Sequence, residues 1–165
     1  MISRYSRKEL TDIWSEENKY KIWLDIEIAA AQAMEKLGYI PRGVSSIVKK
    51  KGKINVKRIH TIETKVKHDV IAFLTSITEK AGIKARYLHQ GMTSSDVLDT
   101  GFNIQLIQSG KILLKDIDKI LMYLEDIGKN LLQKIVRGFG FYTKSSFDGK
   151  LQIIISMNSN MISIL

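Results

Sequence analysis

His89-Gln90-Gly91-Met92-Thr93-Ser94-Ser95-Asp96-Val97 is a polar, glycine-hinged loop that runs directly into the longest periodic segment of the sequence. Thr93 and Asp96 have the spacing of a capping box, which places Thr93 to Ser95 at a helix N-terminus. From Asp96 onward the pattern stays helical for nearly forty residues: Leu106, Leu113, Ile117, Ile120, Leu124, Ile127 and Leu131 keep a seven-residue register. After Leu113 the steps alternate between four and three, which is the a/d seam of a helix that packs along others. Leu114 and Leu121 widen the stripe, so the helix is expected to be buried on more than one side, as in a bundle shared between subunits. At about 1.5 Å per residue it would exceed roughly 50 Å. A chain of 165 residues has little to cover such a helix, and the pattern calls for partner helices from another copy or from further chain. Gly101, Gly110 and Gly128 each weaken it by up to about 1 kcal/mol relative to alanine, unless close packing requires them.

The segments upstream are also helical. Ser6 and Glu9 have capping-box spacing and predict a short helix through Trp14. Ser15 precedes a longer one, Glu16 to Leu37, with Tyr20, Trp23, Leu24, Ile28, Ala31 and Met34 on one apolar face. Gly38 stops it and Pro41 forbids its continuation. Glu27 falls next to that face and reads as an edge residue paired with a lysine. The Lys49-Lys50-Lys51-Gly52-Lys53 run reads as a solvated basic loop. Asn55 caps a helix bearing Val56, Ile59, Ile62 and Val66, and Lys67-His68-Asp69 sits at a break, with Asp69 capping a helix from Val70 to Ala81 that Gly82 ends. His60 reads as a surface or interface histidine, with no second ligand at metal spacing.

The fold class is therefore all-α. An N-terminal helical domain, residues 1–93, is followed by the first long helix of a truncated helical bundle, 94–133. From about Lys134 the register is lost, and 134–165 form an atypical tail.

Composition excludes several function classes. There is no cysteine, which removes disulfides and thiolate metal sites. No run of eighteen apolar residues offers a membrane span. Arg4, Arg7, Lys8 and Glu9 precede any apolar stretch, so no secretory leader is expected, and cytosol is the default compartment. The net charge of +9 invites a nucleic-acid partner, but lysine outnumbers arginine 20 to 6, against the preference for arginine's bidentate fork. No aromatics interleave with the basic run to stack on bases, so nucleic acid is not the expected partner.

On spacing alone, the loop from His89 to Val97 reads as a capped helix start with a surface histidine. The same arrangement also suits an anion, because free N–H groups, the helix dipole and neighbouring hydroxyls all favour negative charge there.

The sequence His89-x-Gly91-x-Thr93-Ser94-Ser95-Asp96, followed by Val97, Asp99 and Thr100, resembles the first signature loop of adenylosuccinate lyases within the fumarase/aspartase superfamily. Lys67-His68-Asp69-Val70-Ile71-Ala72-Phe73 resembles the family's other early signature, and Arg4-Tyr5-Ser6 is similar to the segment with which these enzymes begin. The three blocks stand in the family's order and at its spacing. Past about residue 134 the resemblance stops. The family's Thr-His loop, its mobile serine loop and its C-terminal domain have no counterpart, so the tail is expected to derive from a shifted reading frame or an equivalent truncation.

The resemblance implies elimination of fumarate from adenylosuccinate and from the related imidazole carboxamide intermediate of purine synthesis, without metal or cofactor. It implies substrate contacts from Arg4, Tyr5, Lys67, His68, Asp69, Thr93 and Ser94. His68 and His89 would orient the substrate and assist proton transfer or phosphate binding. The principal acid and base, a histidine and a serine in the two missing loops, would lie elsewhere. In the family three subunits of a homotetramer build each site, so this chain alone is expected to be inactive. Two alternatives remain. A cycloisomerase of the same superfamily shares most of the early loop but usually carries glutamine where Ser95 stands, and a basic helical interaction module would account for the heptads without catalysis.

Overall fold

In the computed structural model residues 5–138 are described, the side chains as far as Gln133. Arg4 and residues 139–165, which hold most of the atypical tail, lie outside the described residues. Among those described there are six α-helices and no strand: α1 (Lys8–Ile13), α2 (Glu16–Leu37), α3 (Val44–Lys51), α4 (Val56–Val66), α5 (Asp69–Ala81) and α6 (Ser94–Gly138), with a 3-10 helix, Ile83–Tyr87, before α6. The all-α reading holds. The chain divides into two compact units, Met1–Leu113 and Leu114–Leu165.

Local signals set most helix ends. The Ser15 side chain accepts from the Asn18 N–H and starts α2; Gly38, at φ 77°, ends it, with the Tyr39 N–H donating back to the Met34 carbonyl at 3.0 Å. That left-handed cap costs glycine little, and it occupies carbonyls a helix end leaves unpaired. Asn55 caps α4 through Arg58 N–H.

Three upstream expectations are corrected. Ser6 and Glu9 form no capping box: Arg7 is the N-cap of α1, without a side-chain cap bond, and its guanidinium takes the Glu9 carboxylate. Asp69 does not cap α5 from outside. The helix begins one residue earlier, with His68 at the N-cap. The lysine run is not a loop, because Lys49, Lys50 and Lys51 form the last turn of α3, whose Val44, Ser45 and Val48 are buried. Three ammonium groups at a helix C-terminus complement its dipole, so a charge run can end a helix as readily as interrupt one. At the other end of α3 the Glu35 carboxylate accepts from the Ser45 N–H at 2.6 Å. That bond is the first cause holding the Glu35 carboxyl below the ordinary carboxylate value.

The core of the first unit is an aromatic triad with aliphatic walls. Tyr20 and Phe73 stack at 5.8 Å, and Trp23 meets both edge-on, at 5.3 and 5.6 Å. Around them lie Ile28 and Ala31 of α2, Val48 of α3, Ile59 of α4 and Ile77 of α5. Burying a ring such as Phe73 contributes on the order of 1.5–3 kcal/mol. Burial also pushes the Tyr20 phenol up to about 12, helped by the nearby Glu16, Glu63 and Asp69 charges.

The first turns of α6 join this core. Val97 is fully buried, and Gly101 lies so close to Trp23 that a β-carbon there would stand 3.0 Å from the indole. Of Gly101, Gly110 and Gly128, Gly101 is thus the one that close packing requires. Further along, Gln105 Nε2–H donates to the Ile13 carbonyl at 2.7 Å, and Trp14 Nε1–H donates to Ser109 Oγ at 3.0 Å. The seam itself is exposed: Leu106 is 44% and Leu113 52% exposed, and Leu114, Ile117, Ile120, Leu121, Leu124, Ile127 and Leu131 are each between 51% and 63% exposed.

Candidate functional site

Two breaks in the helical chain carry the chemistry-bearing residues. Lys67 and His89 are the non-glycine residues with positive φ among those described, at 55° and 64°. Left-handed backbone at such residues is uncommon and costs of order 1–3 kcal/mol, and it gathers where function holds it. Each break lies within one of the stretches singled out from the sequence.

At the first break, Lys67 turns the chain out of α4 and hands it to His68, whose extended backbone (φ −151°) opens α5. His68 Nδ1 accepts a long bond from the Ile71 N–H, 3.4 Å. A neutral imidazole that accepts at Nδ1 carries its proton on Nε2. That nitrogen faces Ser94 Oγ at 3.5 Å, across 26 residues of sequence. Asp69 Oδ1 accepts from the Val70 N–H at 2.7 Å and lies 3.5 Å from His68 Nδ1, so it is an alternative partner when the ring is protonated. His68 is exposed to nearly half, so solvent and solutes reach it.

At the second break, Gly91 follows His89 with φ 69° and Met92 N–H closes the turn onto the His89 carbonyl at 3.4 Å. The capping box is half of the expected form. Thr93 N–H donates to Asp96 Oδ2 at 2.7 Å as a box requires, but the Thr93 hydroxyl donates to the same oxygen, at 3.1 Å. Those two bonds, the N–H first, hold the Asp96 carboxyl below its ordinary value, with the His89 charge adding to them. Ser94 is left facing His68 at the start of α6, where the first N–H groups have no partner within the helix. A hydroxyl, an imidazole and a helix N-terminus thus converge, and together they suit an anionic oxygen.

His89 is turned inward. Its Nδ1 lies 2.6 Å from Glu27 Oε1, and its backbone N–H donates to Glu27 Oε2 at 2.8 Å. Glu27 is fully buried and His89 is 15% exposed. The sequence reading of Glu27 as an edge residue paired with a lysine is therefore wrong. The missed signal was positional: Glu27 stands four residues from Trp23 and from Ala31, inside the buried stripe, where a carboxylate persists only with a partner of its own.

Tyr5 is exposed, and Lys67 lines a shallow concavity with His60, Glu63 and Thr64. His60 joins α4 to α2 through Glu16, 3.0 Å away, with Glu63 near its other nitrogen. Among the described residues no group of three or more His, Asp or Glu could hold a metal ion, and no helix is long and apolar enough to cross a membrane.

A sequence family described as lyase matches residues 3–140. The adenylosuccinate lyase of Aquifex aeolicus (strain VF5) is 47% identical over 124 residues, which is 73% of this chain and 28% of that protein. The chain therefore spans little more than a quarter of this relative's length. The solved structure of a fumarate lyase from Mesorhizobium sp. BNC1 superposes with a TM-score of 0.58 at 23% identity, over 67% of this chain and 27% of that one. The beta-carboxy-cis,cis-muconate cycloisomerase of Acinetobacter calcoaceticus sp. ADP1 superposes at 0.55, with 27% identity, over 62% of this chain and 26% of that one.

Proposed function

The chain belongs to the lyase family, and on that premise we propose that it forms part of an adenylosuccinate lyase, the carbon–nitrogen lyase that releases fumarate from adenylosuccinate and from the related imidazole carboxamide ribotide. The observation that carries the reading is the approach of His68 to Ser94, 3.5 Å, in a chain 47% identical to an adenylosuccinate lyase. Identity with the cycloisomerase is lower, 27%, and Ser95 stands where cycloisomerases usually have glutamine.

The reaction removes a proton from carbon next to a carboxylate, breaks the carbon–nitrogen bond and protonates the departing nitrogen, while charge grows on the carboxylate oxygens. His68 and Ser94 at the start of α6 supply donors for those oxygens or for the phosphate. Lys67, Asp69, Thr93, Arg4 and Tyr5 complete the substrate contacts, and His89 assists in proton transfer or phosphate binding. The principal acid and base come from the Thr-His and serine loops, which residues 1–133 do not contain. The seam from Leu114 to Leu131 is covered by helices of other copies in a homo-oligomer, and the reaction belongs to the cytosol.

The test uses the chain as it stands. Adenylosuccinate is titrated against protein carrying 15N-labelled histidine while fumarate is assayed. The His68 and His89 ring signals should move saturably, Ser94→Ala should weaken the response of His68, and no fumarate should form. Histidine signals that ignore the nucleotide would remove the substrate assignment. Turnover by the purified chain would remove the claim that the acid and base lie elsewhere.

A further inference from the structure

We propose that Glu27 is a positioning residue for His89: the α2 carboxylate holds the imidazole and the left-handed backbone beneath it at once, and it keeps a proton on Nδ1 so that Nε2 is the nitrogen offered to substrate. The inference rests on the reading of His89 as a substrate-facing residue.

The geometry is that of a two-point clamp. Oε2 accepts the backbone N–H of His89 at 2.8 Å, and Oε1 lies 2.6 Å from Nδ1 of the same residue. The bond to the N–H lies where the chain takes φ 64°, a conformation that a histidine holds only when its surroundings over-determine it. The bond to Nδ1 sets the ring. An ionised carboxylate is an acceptor at both oxygens, so the nitrogen facing it carries the proton, and the neutral ring keeps its lone pair on Nε2. Glu27 is fully buried, and a buried carboxylate is tolerated when hydrogen-bonded and paired in this way. His89, 15% exposed, retains an open edge. His68 is arranged in the opposite sense. Its Nδ1 accepts from the Ile71 N–H, which leaves the proton on Nε2. The two histidines therefore present unlike nitrogens, one bearing a proton and one able to receive it.

The carboxylate can be distinguished from its shape by Glu27→Gln. A glutamine has one acceptor oxygen and one NH2 group that only donates. The backbone N–H of His89 cannot accept, so the amide oxygen must face it and the NH2 must face Nδ1. The ring can meet that donor only by giving up the proton on Nδ1, so the neutral ring switches to the tautomer protonated on Nε2. Glu27→Asp keeps two acceptor oxygens on a shorter stem and preserves the original tautomer.

Long-range 1H–15N spectra of the whole chain labelled in histidine read both ring nitrogens of His60, His68 and His89, assigned through His60→Gln and His68→Gln. In the unaltered chain the neutral His89 ring should carry its proton on Nδ1 and leave Nε2 bare. In Glu27→Gln the two His89 signals should exchange roles, those of His68 staying as they were, and in Glu27→Asp the His89 pattern should match the parent. A parent chain with Nδ1 unprotonated in the neutral ring overturns the proposal. So does a folded Glu27→Gln chain that keeps the parent tautomer, the outcome a merely structural Glu27 gives. The parent spectrum decides the matter even if the glutamine variant does not fold. No nucleotide is present, so tautomer inversion in a chain that ignores adenylosuccinate would uphold the clamp and remove only the substrate.

Discussion

Helix α2 and the stretch of α6 from Leu114 to Leu131 carry apolar stripes of similar regularity, yet they meet opposite surroundings. In α2, Tyr20, Trp23, Leu24, Ile28 and Ala31 are buried. In the later part of α6 every leucine and isoleucine of the seam is more than half exposed. Periodicity identifies a face that must be covered; it does not say by what. The face of α2 is covered by α3, α4 and α5 of the same chain. For the seam of α6 the covering helices are those we assign to other copies. Glycines draw the same contrast, because Gly101 meets Trp23 whereas Gly128 has nothing within 4 Å of the position a β-carbon would take.

The comparison can be tested at five points. Phe73→Ala removes a ring that stacks on Tyr20 and meets Trp23, and should cost about 3–5 kcal/mol in urea unfolding of the first unit. A smaller loss would show that the triad is not its centre. Gly101→Ala forces a methyl against the indole and should cost roughly 1–3 kcal/mol by overpacking. Gly128→Ala has the opposite sign: helix content by circular dichroism should rise, with a gain of at most about 1 kcal/mol. Equal signs for the two glycines would erase the distinction between the regions.

Ile120→Lys with Leu124→Lys should leave the unfolding midpoint of the first unit nearly unchanged, within about 0.5 kcal/mol, while reducing self-association in sedimentation. A large loss of stability would mean that the seam is already covered within one chain. The smallest effect belongs to the surface. His60 is held above the usual imidazole value, first by its bond to Glu16. A raised folded value means that this pair stabilises most fully below the ordinary value of 6.5 and ceases to do so as pH rises through the folded one. His60→Gln should therefore lower the melting temperature slightly in mild acid and leave it unchanged in alkali. A difference that grew with pH would contradict the pairing.

Much of this was legible because helix signals are local. Ser15, Gly38, Asn55 and Gly82 mark ends that the structure reproduces. The misplaced signals were local too, but met a stronger neighbour. Arg7 captured Glu9, and His68 outcompeted Asp69 for the cap because its ring nitrogen reaches the Ile71 N–H from one residue earlier. Glu35, which caps α3 from ten residues away, left no mark in a pattern read three or four residues at a time. Of the candidate site, the sequence drew attention to both breaks, and to His68, His89 and Ser94 by name. It misread Glu27, whose partner lies 62 residues on.

The sequence by itself determined the helices, most of their ends and the apolar faces, because backbone hydrogen bonding and side-chain periodicity act over one or two turns. Tertiary structure decided which polar groups meet: Glu27 with His89, and His68 with Ser94. Those partners are fixed by the angles at which whole helices pack, and every core residue contributes to them at once.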